Sequence, residues 1–347
     1  MSDFPSVLPD SRVPDPGSAP ALRWGILAPG GIAAQFVGSL AKHTAQQVVA
    51  VGSRSMERAQ AFASRFGIEA AYGDYEALLA DPDVDVVYVA SPHSEHHAHA
   101  LAAIAAGKHV LVEKSFTRNA AEAAEVIDAA RAAGVAVQEA MWTRFLPHMD
   151  VVRRLLSDGV LGDVSTITAD HGQYFADLDP GHRLLNPDLA GGALLDLGIY
   201  PVSFASFAMG DPDTVTARGG LTTTGVDAQI SVILERGQAQ AALNTTLLAQ
   251  TPTVAAISGS RARVEIAGPF YSPQPITVTE TRTGRTLTRA VDAIAGHEGL
   301  CFEAAELARC IAAGMTHSPL LPPEETLAIM GTLDTIRRQI GVTYPGE

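Results

Sequence analysis

The chain has 347 residues, 47% hydrophobic and 18% charged, the composition of a folded protein long enough for two domains and a large core. Asp and Glu number 38 against 24 Lys and Arg, and the net charge of −14 argues against nucleic acid or an anionic membrane as a general partner. It leaves room for a phosphate ligand, which needs only a local group of donors. Cys301 and Cys310 are nine residues apart on a predicted helix, a spacing that suits neither a disulfide nor a metal and points to two reduced thiols in a cytoplasm.

Residues 1–20 hold five prolines and few large apolar groups, so they are expected to form a disordered or loosely attached leader. They lack the basic start and apolar core of a secretory signal, and no run of about 18 apolar residues elsewhere predicts a membrane span. The stretch Arg23-Trp24-Gly25-Ile26-Leu27-Ala28-Pro29-Gly30-Gly31-Ile32-Ala33 then reads as a buried strand, a tight glycine turn and a helix start. Phe36, Val37 and Leu40 follow at helical spacing. Unpaired N–H groups at a helix N-terminus favour an anion, so Ala28, Gly30, Gly31 and Ile32 are candidates to line a pyrophosphate. Gly30 allows close backbone approach, and Ala33 lets the helix pack on the strand. Ala28 stands where the dinucleotide fingerprint has its first glycine, and tolerates a positive φ less well. Taken alone, the motif also fits an ordinary strand–helix turn.

Further strands are predicted at 47–53, 84–90, 108–112 and 135–138, with helices at 55–66, 75–80, 94–106 and 120–133 between them. Apolar strands alternating with helices mean a parallel sheet covered on both faces, here a doubly wound nucleotide-binding domain over 21–140. The rhythm changes in 141–347. Helices are predicted at 147–158, 193–209, 297–313 and 323–339, and strands at 164–171, 214–221, 227–235, 239–248, 253–258, 263–267, 276–281 and 286–290. Short connections such as Arg236-Gly237 indicate hairpins, hence an α+β domain with a large, mostly antiparallel, open-faced sheet. A second subunit is a natural cover for its free face.

Ligands of open α/β sheets bind beyond the carboxyl ends of the strands. After the second strand stand Ser53 and Arg54, where an acid would bind the ribose of NAD; a guanidinium there suits a 2′-phosphate and favours NADP. The alternative is a solvated surface arginine. Ser91, Pro92 and His93 follow the third predicted strand beside the expected cofactor path. Ser94 is a candidate helix N-cap, and His93, His96, His97 and His99 match no metal-ligand spacing, so no metal is expected. Glu113 and Lys114 end the next strand, where the lysine either projects into a cleft or pairs with Glu113 at the surface. Trp142, Arg144 and Phe145 suit a hydroxylated ligand at a domain junction, or plain packing. Arg183 and Asn186 precede the Gly191-Gly192 pair. Asp196 and Tyr200, four apart, share one helix face, and Pro201 should kink that helix beside Tyr200. A phenol titrates near pH ~10 and a neighbouring ammonium lowers that value, so a Lys–Tyr pair is a sensible acid–base; a core tyrosine is the alternative.

The stretches RWGILAPGGIA, VGSRS, DVDVVYVASPHSEHHAHA, GKHVLVEKS, EAMWTRFLP, GGALLDLGIYP and GVDAQISVIL together resemble the Gfo/Idh/MocA oxidoreductases, most closely their dihydrodiol and D-xylose dehydrogenase branch. The resemblance runs from about residue 22 to the C-terminus. It implies NAD(P)-dependent oxidation of a hydroxyl on a sugar, polyol or cyclic diol, and a dimer formed through the antiparallel sheet. It places the catalytic pair on Lys114 and Tyr200, with Asp196 orienting the pair or binding substrate beside Trp142, Phe145 and Arg183. It also puts Glu113, Lys114, Trp142 and Arg144 along the cofactor. Ser115 replaces the proline of the family's E-K-P, a residue that permits a cis bond cheaply. A tightly cofactor-bound sugar oxidoreductase and a non-catalytic NADPH-binding sensor are the alternatives.

Overall fold

The structure, a computed structural model, describes residues 4–179, 181–291 and 293–347. Strand and helix alternate first: β1 (Arg23–Leu27), α1 (Gly31–His43), β2 (Gln47–Gly52), α2 (Met56–Phe66), β3 (Ala70–Tyr72), α3 (Tyr75–Ala80), β4 (Val86–Val89), α4 (His93–Ala105), β5 (His109–Glu113), α5 (Ala120–Ala133) and β6 (Val137–Ala140). These strands pair in parallel in the order β3-β2-β1-β4-β5-β6. Every residue of β4 is buried, as a strand covered on both faces requires. The order reverses between β1 and β4, which opens a crevice at their carboxyl ends. The edge strand β3 escapes sequence patterning because three residues carry no period. Pro92, not Ser94, occupies the N-cap of α4, and no side chain caps that end.

The chain continues through α6 (Pro147–Ser157), β7 (Val164–Gly172), a π-helical turn at Leu194–Gly198, α7 (Ile199–Met209), β8 (Thr214–Leu221), β9 (Asp227–Arg236), β10 (Ala239–Thr246), β11 (Ala255–Gly259), β12 (Ala262–Ile266), β13 (Ile276–Glu280), β14 (Thr286–Arg289), α8 (Cys301–Ala312) and α9 (Pro323–Ile340). Eight strands order as β14-β13-β12-β11-β7-β10-β9-β8. All neighbours are antiparallel except β7 and β10, which run parallel from Thr166↔Gln240 to Gly172↔Thr246. Gly237, at φ 57, turns the two-residue hairpin between Arg236 and Ala239. Along β9 and β10, Ile230, Val232, Leu234, Ala241 and Leu243 are buried while Ser231, Ile233 and Ala242 are exposed. α7 packs on β7 and β10.

The segment Pro187–Met209 is long and apolar enough to cross a membrane, with mean hydropathy 1.3, but 83% of its most apolar window is buried in this fold. It is the core helix beneath the large sheet, apolar on all sides for that reason.

By contacts the chain forms two compact units, neither contiguous. The first joins residues 14–145 to 296–327, and the second joins 146–295 to 328–347 and to the N-terminal residues up to 13. Residues 4–20 are mostly exposed or half-buried, with Pro16 and Ala19 buried. In the second unit Arg12 donates from its backbone N (2.7 Å) and its guanidinium (2.9 Å) to Asp150, and Arg285 lies over the Phe4 ring. In the first unit Asp15 caps a turn at Pro16–Ser18, and Ala19 packs with Ala305 and Ala308. The Arg12–Asp150 bonds join residues 138 apart and are invisible to local periodicity, whereas the Asp15 cap is local.

Candidate active site

The dinucleotide side is built in the first unit. The N-cap of α1 is Gly30 and no side chain caps that end, so the first N–H groups of the helix are left for a ligand. A Cβ placed on Gly30 or Gly31 would meet no atom within 4 Å. The protein's own packing therefore does not require these glycines, and the space they leave suits a pyrophosphate against the N–H groups of Gly31 and Ile32. Ala28 turns the chain at φ 68, the left-handed conformation its replaced glycine would favour.

Beyond β1 and β2 lies a cavity of about 530 Å3 lined by Leu27, Arg54, Tyr75, His99 and Ala102 among others. Tyr75 meets His99 edge-on at 4.8 Å, and burial raises the Tyr75 phenol against the opposing pull of the Arg54 guanidinium. The sequence offers Arg54 for a 2′-phosphate, with a solvated surface arginine as the alternative; the cavity sets Tyr75 and His99 beside it, neither of which the sequence assigns to the cofactor. Ser53 is buried and its Oγ accepts from the Ser55 N–H at 3.3 Å. Ser91 holds two histidines, accepting from His96 Nε2 at its carbonyl (2.8 Å) and facing His99 Nδ1 with its hydroxyl (2.9 Å). His93 is buried edge-on to His96, and His97 pairs with Glu125 at 2.8 Å.

Lys114 is half-buried at the end of β5, and its peptide bond to Ser115 is cis. Two buried carboxylates hold the backbone around it. Glu113 Oε2 accepts from the Lys114 N–H (3.2 Å), and Glu139 Oε1 from the Phe116 N–H (3.2 Å). The Tyr88 hydroxyl donates to Glu113 in a short hydrogen bond. Burial pushes the Glu139 carboxyl up to about 7, although Thr326, the Phe116 N–H and Arg144 pull it down. Glu303 lies beside both glutamates without a partner for its carboxyl oxygens, and burial raises it well above the usual range. Trp142, Arg144 and Phe145 are buried in this unit too: Trp142 stacks on His297 at 5.7 Å, and Arg144 is ion-paired with Glu325.

The second unit presents Tyr200. The π turn at Leu194–Gly198 leads directly into α7, so the kink expected from Pro201 takes the form of a widened turn. Asp227, fully buried on β9, accepts from the Leu194 N–H at 2.6 Å and so caps the turn. Burial raises its carboxyl to about 6, against the backbone donors of Leu194 and Ala193. Gly192, at φ 119, is required here, because a Cβ would lie 2.2 Å from Asp227 Oδ1. Asp196 is buried and pairs with Arg183 at 3.0 Å. Asn186 instead caps the short turn at Pro187–Leu189. Tyr200 stacks on Tyr271 at 4.6 Å, and His171 lies 5.4 Å from Tyr200 and 4.6 Å from Tyr271. The sequence did not single out His171 or Tyr271. His171 ends a predicted strand, which was a usable signal; Tyr271 sits in a loop with none.

A doubly wound sheet with an uncapped glycine turn, joined to an open-faced sheet that buries a phenol and a carboxylate, defines an NAD(P)-dependent oxidoreductase. The comparisons agree. The family model "Oxidoreductase family, NAD-binding Rossmann fold" matches residues 22–141, and the GFO/IDH/MocA C-terminal domain matches residues 149–268. The chain belongs to the Gfo/Idh/MocA family of oxidoreductases. It is 37% identical to the trans-1,2-dihydrobenzene-1,2-diol dehydrogenase of Xenopus tropicalis, over 94% of this chain and 100% of that one. Among solved structures it is similar to the aldose-aldose oxidoreductase of Caulobacter crescentus, with TM-score 0.82 and 26% identity over 92% of this chain and 97% of that one. A 3-ketoreductase from Actinomadura kijaniata, crystallised with NADP and TDP-benzene, gives TM-score 0.80 and 26% identity over 92% and 98%.

Proposed function

We propose that the enzyme interconverts a secondary or hemiacetal alcohol and its carbonyl on a cyclic diol, polyol or sugar, with NADP preferred over NAD. The observation that carries the reading is Tyr200, a phenol at a buried helix opening, in a chain that matches a diol dehydrogenase over 94% of its length. The bound dinucleotide supplies hydride acceptance and return at its nicotinamide ring. Tyr200 takes the substrate hydroxyl proton, and the Lys114 ammonium favours the phenolate that receives it. Asp196, braced by Arg183, orients a substrate hydroxyl. The N–H groups of Gly31 and Ile32 hold the pyrophosphate and Arg54 the 2′-phosphate. The enzyme acts in the cytoplasm as a homodimer joined through the outer face of the large sheet, where Ser231, Ile233 and Ala242 are exposed.

The test follows nicotinamide absorbance with purified enzyme, NADP or NAD, and a panel of aldoses, inositols and cyclic diols. Tyr200→Phe and Lys114→Ala should each lose about 10²- to 10⁴-fold in kcat while still binding NADPH by fluorescence. Wild-type turnover in Tyr200→Phe would overturn the assignment.

A further inference from the structure

A helix carries its own acceptors, and each carbonyl expects a donor four residues on. Pro201 has no N–H, so it cannot serve the carbonyl of Leu197. The Ile199 N–H reaches five residues back to the Leu194 carbonyl, which widens the turn, and is shared with the Leu197 carbonyl two residues back. A side chain from another element completes it: His171 Nδ1, at the end of β7, lies 3.2 Å from the Leu197 carbonyl oxygen. A carbonyl only accepts, so Nδ1 carries the proton. Gln173 Nε2 lies 3.0 Å from His171 Nε2 and donates to it, which fits the neutral tautomer. The backbone of His171 is fixed as well, because Thr245 Oγ1 donates to its carbonyl at 3.0 Å. The ring is buried against Tyr200 and Tyr271.

We propose that His171 is a positioning residue for Tyr200: its Nδ1–H replaces the backbone donor that Pro201 lacks, and so sets the π turn from which the Tyr200 hydroxyl is presented. The proposal rests on the reading of Tyr200 as the acid–base group, and its test separates the two. His171→Phe keeps a ring against both tyrosines and removes the Nδ1–H donor, together with the Nε2 acceptor of Gln173. The N–H groups of residues 194–202 should then exchange with deuterium about 3- to 10-fold faster by mass spectrometry, the range for one lost hydrogen bond. Turnover should fall about 10- to 100-fold in kcat with little change in KM, because the phenol is misplaced and the substrate still binds.

Adding Pro201→Ala to His171→Phe restores a backbone N–H opposite Leu197 and should recover both exchange protection and kcat. His171→Asn, whose amide nitrogen sits where Nδ1 does, should stay near wild type and covers the case in which His171→Phe does not fold. Unchanged exchange and turnover in His171→Phe would overturn the proposal. So would a double variant that remains as slow as His171→Phe, since ring contacts rather than the donor would then be responsible. If Tyr200→Phe proves fully active the acid–base reading falls, and the exchange measurements still judge the hydrogen bond by itself.

Discussion

Three positions on the dinucleotide side, Ala28, Gly30 and Arg54, carry different burdens. Ala28 sits at φ 68 without the freedom of glycine. Ala28→Gly should relieve about 1–2 kcal/mol of left-handed strain, offset in part by about 0.5–1 kcal/mol of extra chain entropy in the unfolded state. The expected net is a small rise in melting temperature by calorimetry, and a fall would show that the turn is not strained. Gly30 is the converse case. A methyl group there meets nothing in the protein, so Gly30→Ala should leave stability within about 0.5 kcal/mol. It should nonetheless weaken dinucleotide binding, because the methyl stands where the pyrophosphate approaches. Arg54→Ala should lose about 10- to 100-fold in NADP affinity and little in NAD affinity, as one charge-assisted contact predicts. Equal losses for both in a titration would remove Arg54 from the 2′-phosphate.

At the scale of elements, the strands and helices of the nucleotide-binding half other than β3 were legible because each carries its own period. The glycine turn and the position of Lys114 at a strand end followed from that pattern. The supports of the Tyr200 helix were not legible. Asp227 and His171 lie 33 and 26 residues from the backbone groups they hold, and only pairing of β7, β9 and β10 brings them there. Sequence spacing correctly put Asp196 and Tyr200 on one helix and expected a kink at Pro201; it had no means to find the donor that repairs it. The cap at the helix start makes Gly192 demanding. Gly192→Ala would force a methyl group into the Asp227 carboxylate at a φ that L-residues avoid, and should cost about 2–4 kcal/mol in denaturant unfolding. Asp227→Asn keeps an acceptor for the Leu194 N–H and should cost less than Asp227→Ala, which forfeits about 1–2 kcal/mol of capping alone.

For the whole molecule, buried titratable groups set opposing slopes of stability with pH. Glu139 is raised to about 7 and Asp227 to about 6. Their protonated forms are preferred in the fold, so the stability they give is complete below the ordinary carboxylate values and is lost as pH rises through about 6 and 7. His96 and His148 are lowered to about 4 by burial, so theirs is complete above the ordinary histidine value and lost as pH falls through about 4. Between about pH 4.5 and 6.5 the two sets offset each other. Glu139→Gln removes one falling component, and its melting temperature relative to wild type should therefore climb from pH 4.5 to 7. A constant difference across that range would place the Glu139 carboxyl near its ordinary value.

The interleaved path of the chain also decides how the protein can be taken apart. A fragment ending at residue 145 would omit Thr326, the hydroxyl donor to Glu139 at 3.3 Å, together with Ala305 and Ala308 beneath Ala19. It would expose apolar surface and bare buried carboxyls, and should aggregate on expression. Joining 14–145 to 296–327 through a flexible linker returns those partners, and that two-piece polypeptide, rather than a cut at the apparent boundary, is the minimal nucleotide carrier this gene can yield.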